Sequence, residues 1–61
     1  MKKTVRIVDV RAQKLVVEYQ INLKSIGEDI MNDDYFIEAW RCALEDNLVD
    51  PNNKSNYKFS L

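Results

Sequence analysis

The stretch DDYFIEAWRCALEDNLV (residues 33–49) decides the fold, because it is long and periodic enough to form a helix of several turns. Its apolar residues fall on two stripes. Phe36, Ile37, Ala39, Trp40, Ala43, Leu44 and Leu48 make a broad face, while Tyr35, Cys42 and Val49 recur every seven residues on nearly the opposite side. At about 100° per residue these three lie within about 40° of one another, and Glu38 and Glu45 border them. Asn32 is placed to cap the helix, Asp33 and Asp34 suit the positive end of its dipole, and Met31 is placed to staple onto Phe36. Asp50 precedes Pro51 and is pushed out of the right-handed helical region, so the helix is predicted over 33–49.

Upstream, residues 14–23 carry five apolar positions at period two: Leu15, Val17, Tyr19, Ile21 and Leu23. That pattern predicts a strand with one buried face. Residues 3–11 are rich in β-branched side chains but change phase, with Val5 and Ile7 odd and Val8 and Val10 even. Two accounts fit. An even-length turn near Ala12 and Gln13 pairs Val8 with Val17, and a bulge near Ile7 returns Ile7 and Val5 to the core. An odd-length turn instead leaves Val8, Val10 and Val16 as an apolar patch on the open face. The bulge is the expectation adopted. In residues 24–32, "SIGE" matches a capping box weakened by Gly27, with Ile26 and Ile30 expected to cover a sheet edge. Tyr57, Phe59 and Leu61 alternate with polar residues and predict a last strand over 55–61.

The order is therefore β-β-α-β. A helix crossing over to place the last strand beside the first gives a three-stranded antiparallel sheet of order 2-1-3, packed on one helix. The expected class is α+β, two layers, one domain over residues 1–61.

Size and composition narrow the function. A chain of 61 residues buries only about 60% of the surface its unfolded form exposes, and domains this small commonly need a further support. One cysteine and no histidine exclude an internal disulfide and the usual structural zinc sites. Oligomerisation is the support left, which favours a homodimer or a protein partner. No apolar run is long enough to span a membrane, and Lys2-Lys3 leads into no signal-like segment, so a cytoplasmic location is expected.

Catalysis is not expected. There is no histidine base, Cys42 lies mid-helix without an activating neighbour, and one glycine cannot build a phosphate loop. No cofactor is implied, and the carboxylates lack the spacing of a calcium loop, so no metal is implied either. Net charge is −1, but residues 28–50 hold eight acids and one base while the rest holds eight bases and two acids. The two parts carry −7 and +6. Such segregation speaks to partners. The expected function is a non-enzymatic protein-interaction domain, by analogy of size and charge an accessory or inhibitor-type protein. It would dock its acidic helix on a basic partner through Tyr35, Glu38, Cys42, Glu45, Asp46 and Val49. For the Tyr35/Cys42/Val49 stripe, three accounts stay open: scattered surface residues, cover by the preceding loop, or a contact line for a partner. The alternatives for the whole chain are a nucleic-acid-binding module using Arg6, Arg11, Lys14 and Lys58, and a structural subunit of a larger complex. The nucleic-acid alternative is weakened by a pI near 5.2 and by aromatics in the inward phase.

Overall fold

The computed structural model describes residues 2–24 and 30–61. In chain order it contains β1 (Lys2–Asp9), β2 (Lys14–Asn22), α1 (Asn32–Glu45), a 3-10 helix (Pro51–Asn56) and β3 (Tyr57–Ser60). The sheet order is β2-β1-β3, with both pairings antiparallel, as the sequence predicts. Helix α1 packs on one face of the sheet. The "SIGE" segment and Ile26 lie outside the described residues, while Ile30 packs against the core.

A bulge does form, but it leaves the two phases of the first strand on opposite faces: Val5 and Ile7 face the helix and Val8 the open side, as the odd-length account expects for Val8. From Lys2↔Asn22 to Ile7↔Val17 the register is constant, and it then shifts so that Val8 faces Leu15 and Asp9 faces Lys14. Val16 is the extra residue. The bulge thus lies on β2 rather than in β1, and Val8 pairs with Leu15 instead of the expected Val17. A four-residue loop, Val10 to Gln13, closes the hairpin. The Asp9 carboxylate accepts the backbone N–H groups of Arg11 and Ala12 at 3.0 and 3.1 Å, an Asx turn that replaces the missing Asn-Gly signal. Gln13 closes the loop at φ 54°.

Because partners directly opposite share a face, Val5, Ile7, Val17, Tyr19, Ile21, Tyr57 and Phe59 point to the helix. Val5, Ile7 and Ile21 are buried there against Tyr35, Ala39 and Ala43. Lys2, Thr4, Arg6, Val8, Glu18, Gln20, Lys58 and Ser60 take the other face, which no described element covers.

Both helix ends differ from expectation. Met31, not Asn32, is the N-cap. Its N–H donates to the Asp34 carboxylate at 2.9 Å while the Asp34 N–H donates to the Met31 carbonyl at 3.0 Å. Asn32 instead accepts from Lys3 Nζ at 3.4 Å, and Met31 is 68% exposed, so it does not staple onto Phe36. At the other end α1 stops at Glu45, not Val49. Asn47 adopts the left-handed region at φ 57°. The N–H of Leu48 then reaches the Ala43 carbonyl at 3.0 Å, and that of Asn47 reaches Leu44 at 3.1 Å. This Schellman arrangement needs a C′ residue that tolerates positive φ, and asparagine does.

The chain then turns through Asp50, whose carboxylate accepts from Asn52 N–H at 2.9 Å and from the Asn53 side-chain amide at 2.7 Å. That 3-10 turn occupies residues expected to begin the last strand, so β3 starts at Tyr57. Asn47→Ala is expected to destabilise by about 1 kcal/mol, whereas Asn47→Gly does not, because only the former pays the left-handed penalty. Urea midpoints at unchanged slope measure the difference.

Candidate interaction surface

The sheet-facing centre of α1 is Ala39 and Ala43, both fully buried. Small side chains at i and i+4 let the helix approach Val5 and Ile7 closely, so larger residues pack to either side. On one flank Tyr35 is buried at 0% exposure, with Cys42 half-buried and packed on the core. On the other, Phe36 meets Phe59 at 5.6 Å between ring centroids, and Trp40 meets Tyr57 at 5.6 Å and Phe59 at 6.0 Å. Val49, beyond the helix, also packs on the core.

The expected outward line of Tyr35, Cys42 and Val49 is therefore corrected: all three are part of the core or lie against it. The preference for the stripe with more large apolar residues misplaced the helix rotation, because the closest contact uses the smallest ones. Lys3 Nζ lies 5.2 Å over the Tyr35 ring, at the rim of this flank.

What faces outward is the strip opposite Ala39, holding Ile37, Arg41 and Leu44. Ile37 is 64% exposed and Leu44 half-buried, and Leu48, past the helix end, is 44% exposed. Asp33 and Asp34 border the strip at its start, Glu38 and Glu45 along one side. Arg41 clasps both glutamates: its Nε donates to Glu38 Oε1 at 3.1 Å, its Nη2 to the same oxygen, and its Nη1 to Glu45 Oε1 at 2.5 Å. The hydrogen bond from Arg41 holds the Glu38 carboxyl below its usual range and raises the guanidinium pKa in turn. Such exposed pairs add little stability, but they fix where the charges stand.

Asp46 is engaged differently. Its carboxylate accepts the Tyr19 hydroxyl at 2.6 Å, tying the C-cap of α1 to β2. Desolvation, then the hydrogen bond and the negative charge of Asp46, push the Tyr19 phenol up to about 12.

Of the six residues expected to bind a partner, Glu38 and Glu45 stand on the outer surface, Asp46 braces the fold, and Tyr35, Cys42 and Val49 are packed. The four basic candidates do not converge. Arg6 and Lys58 share the open sheet face, where Arg6 Nε bonds Glu18 Oε1 at 3.0 Å. Arg11 is in the hairpin loop, and Lys14 takes the opposite phase to Leu15. Ile37 and Leu44 were missed as surface residues; the signal was the alanine pair, which marks the buried centre of the helix.

One open cavity of about 270 Å³ lies between α1 and β3, lined by Asp33, Phe36, Ile37, Lys54 and Phe59. It is smaller than usual small-molecule sites. Among the described residues no group of three or more carboxylate or thiol side chains is placed to hold a metal ion, and no helix is long and apolar enough to cross a membrane. Comparisons with protein-family models, curated proteins and solved structures found no match.

Two consequences are measurable. Tyr35→Ala should remove about 3–5 kcal/mol, most of what a chain of this length holds at roughly 0.05–0.15 kcal/mol per residue; thermal melting checks it, and a near-native melt would place Tyr35 at the surface. Tyr19→Phe should cost about 1 kcal/mol at neutral pH. A phenol pKa raised from 10.0 to about 12 by folding contributes stability that is complete below pH 10 and lost as pH rises towards 12. The gap between wild type and Tyr19→Phe in urea unfolding should therefore narrow across that window; a constant gap would show that folding does not raise the phenol pKa.

Proposed function

We propose that this chain is a non-enzymatic protein-interaction domain that docks the outer face of α1 on a basic protein surface. The observation that carries the proposal is Ile37, 64% exposed on a helix otherwise closing a small core, set between Asp33, Asp34, Glu38 and Glu45. An apolar centre supplies affinity on desolvation, and a rim in which acids outnumber Arg41 and Lys54 supplies steering and orientation. Glu38 and Glu45 keep the roles expected of them; Ile37 and Leu44 take the place of Tyr35, Cys42 and Val49.

The nucleic-acid alternative has less support. Arg6 already faces Glu18, and the open sheet face offers no aromatic ring on which a base could stack.

A photo-crosslinking residue introduced at Ile37 in the protein's own cells tests the proposal. Discrete protein adducts are expected from position 37, weakened by Glu38→Lys/Glu45→Lys in a chain that still melts cooperatively, and not from position 12, exposed in the hairpin loop. Adducts from position 12 but not 37, or adducts indifferent to the charge reversal, would overturn it.

A further inference from the structure

We infer that the basic surface fitted by the outer face of α1 is the open sheet face of a second copy of this chain, in head-to-tail contact. The inference rests on the docking role proposed for that helix face and names its occupant.

Charge is the first argument. The outer helix face carries Asp33, Asp34, Glu38 and Glu45 against Arg41, which pairs two of them, with Lys54 at its edge beside Asp33 and Ile37, so acids remain in excess. The open sheet face carries Lys2, Arg6 and Lys58 against Glu18, which pairs Arg6, so bases remain in excess. The sheet and the helix body lie between these two surfaces, so one molecule cannot bring them together. Two molecules can.

Symmetry selects the mode. Two helix faces meeting across a two-fold axis would set carboxylates on carboxylates, and two sheet faces would set Lys58 and Arg6 near their own copies. Only a contact between unlike faces joins opposite charges. Such a contact leaves one face of each kind free, so it propagates into open chains or closes into a ring.

Shape agrees. The fourteen residues of α1 span about 21 Å, and the eight of β1 about 26 Å. Outer strands roughly 10 Å apart match the width of one helix. The inner face of the same sheet already holds a helix of this length. Val8 and Leu15, the latter 49% exposed, put apolar surface on the open side where Ile37 and Leu44 can rest. A contact of roughly 20 by 10 Å is well short of the ~800 Å² per partner of stable complexes, so association is weak, concentration-dependent and screened by salt.

The decisive experiment uses two single substitutions on exposed residues: Ile37→Lys, which spoils the helix face, and Lys58→Glu, which spoils the sheet face. Sedimentation of the wild type at about 20 mM salt should show mass rising beyond a dimer with concentration, and association at least ~10-fold weaker at about 500 mM salt. Each variant alone should sediment as the 7.2 kDa chain. Mixed, they should form a capped one-to-one dimer, because one sound helix face meets one sound sheet face. Three results overturn the inference: a wild type that stays monomeric at low salt, assembly that stops at a symmetric dimer, or variants that associate alone as the wild type does. Adducts from Ile37 to a different protein, with a monomeric purified chain, would sink this inference and leave the docking role intact.

Discussion

The structure depends on how closely one helix can approach one sheet. Ala39 and Ala43 face Val5 and Ile7, and among the described residues these four, with Ile21 and Tyr35, are the buried apolar side chains. Interiors pack at crystal-like density, so a helix with alanine at its contact line descends until backbone meets side chain. Larger residues then wedge along both flanks. Tyr35 and Cys42 fill the β2 side, and Phe36 and Trp40 reach the β3 aromatics. Rotating the helix enough to bury Ile37 would lift both alanines off the sheet and carry one aromatic flank into water.

The bulge at Val16 serves that contact. Without it Val17, Tyr19 and Ile21 could not share the helix-facing side with Val5 and Ile7 while the hairpin closed through its Asx turn at Asp9. The extra residue lets Val16 and Val17 both pack on the core although they are adjacent. A bulge on an outer strand also twists that edge and discourages edge-to-edge pairing, so β2 is poorly suited to extend the sheet with another chain.

The strand count, helix and sheet order were legible because three segments alternate at period two and one at 3.6. The conflict between Val5/Ile7 and Val8/Val10 left two accounts open, and the structure takes a part of each: a bulge, but on β2, and Val8 on the open face. Neither was legible, since Val16-Val17 offers an apolar residue to each face and neither strand declares which one carries the surplus. The helix end was written in Asn47, a residue that tolerates positive φ, but Pro51 gave a louder and later stop. The rotation of α1 was misjudged for a different reason: ranking faces by total hydrophobicity favours Ile37 and Leu44, whereas close approach favours alanine. The candidate surface was thus half legible. Its acids at 38 and 45 were visible from charge alone; its apolar centre required knowing which side of the helix touches the sheet.

Charge segregation is best understood through the two layers. Inside the molecule it is partly used: Lys3 reaches Asn32 and the Tyr35 ring, and Tyr19 holds Asp46. These contacts consume inward-facing groups at the interface of the layers. The outward groups remain, acids over the helix and bases over the sheet, and they nearly cancel to a net −1. Solubility alone favours a net charge well away from zero, with both signs interspersed. A near-zero net charge sorted onto opposite faces is the reverse arrangement, and it is the one that the proposed contact between unlike faces requires. In that proposal the charges orient the partner and Ile37 is the apolar point at the centre of the contact.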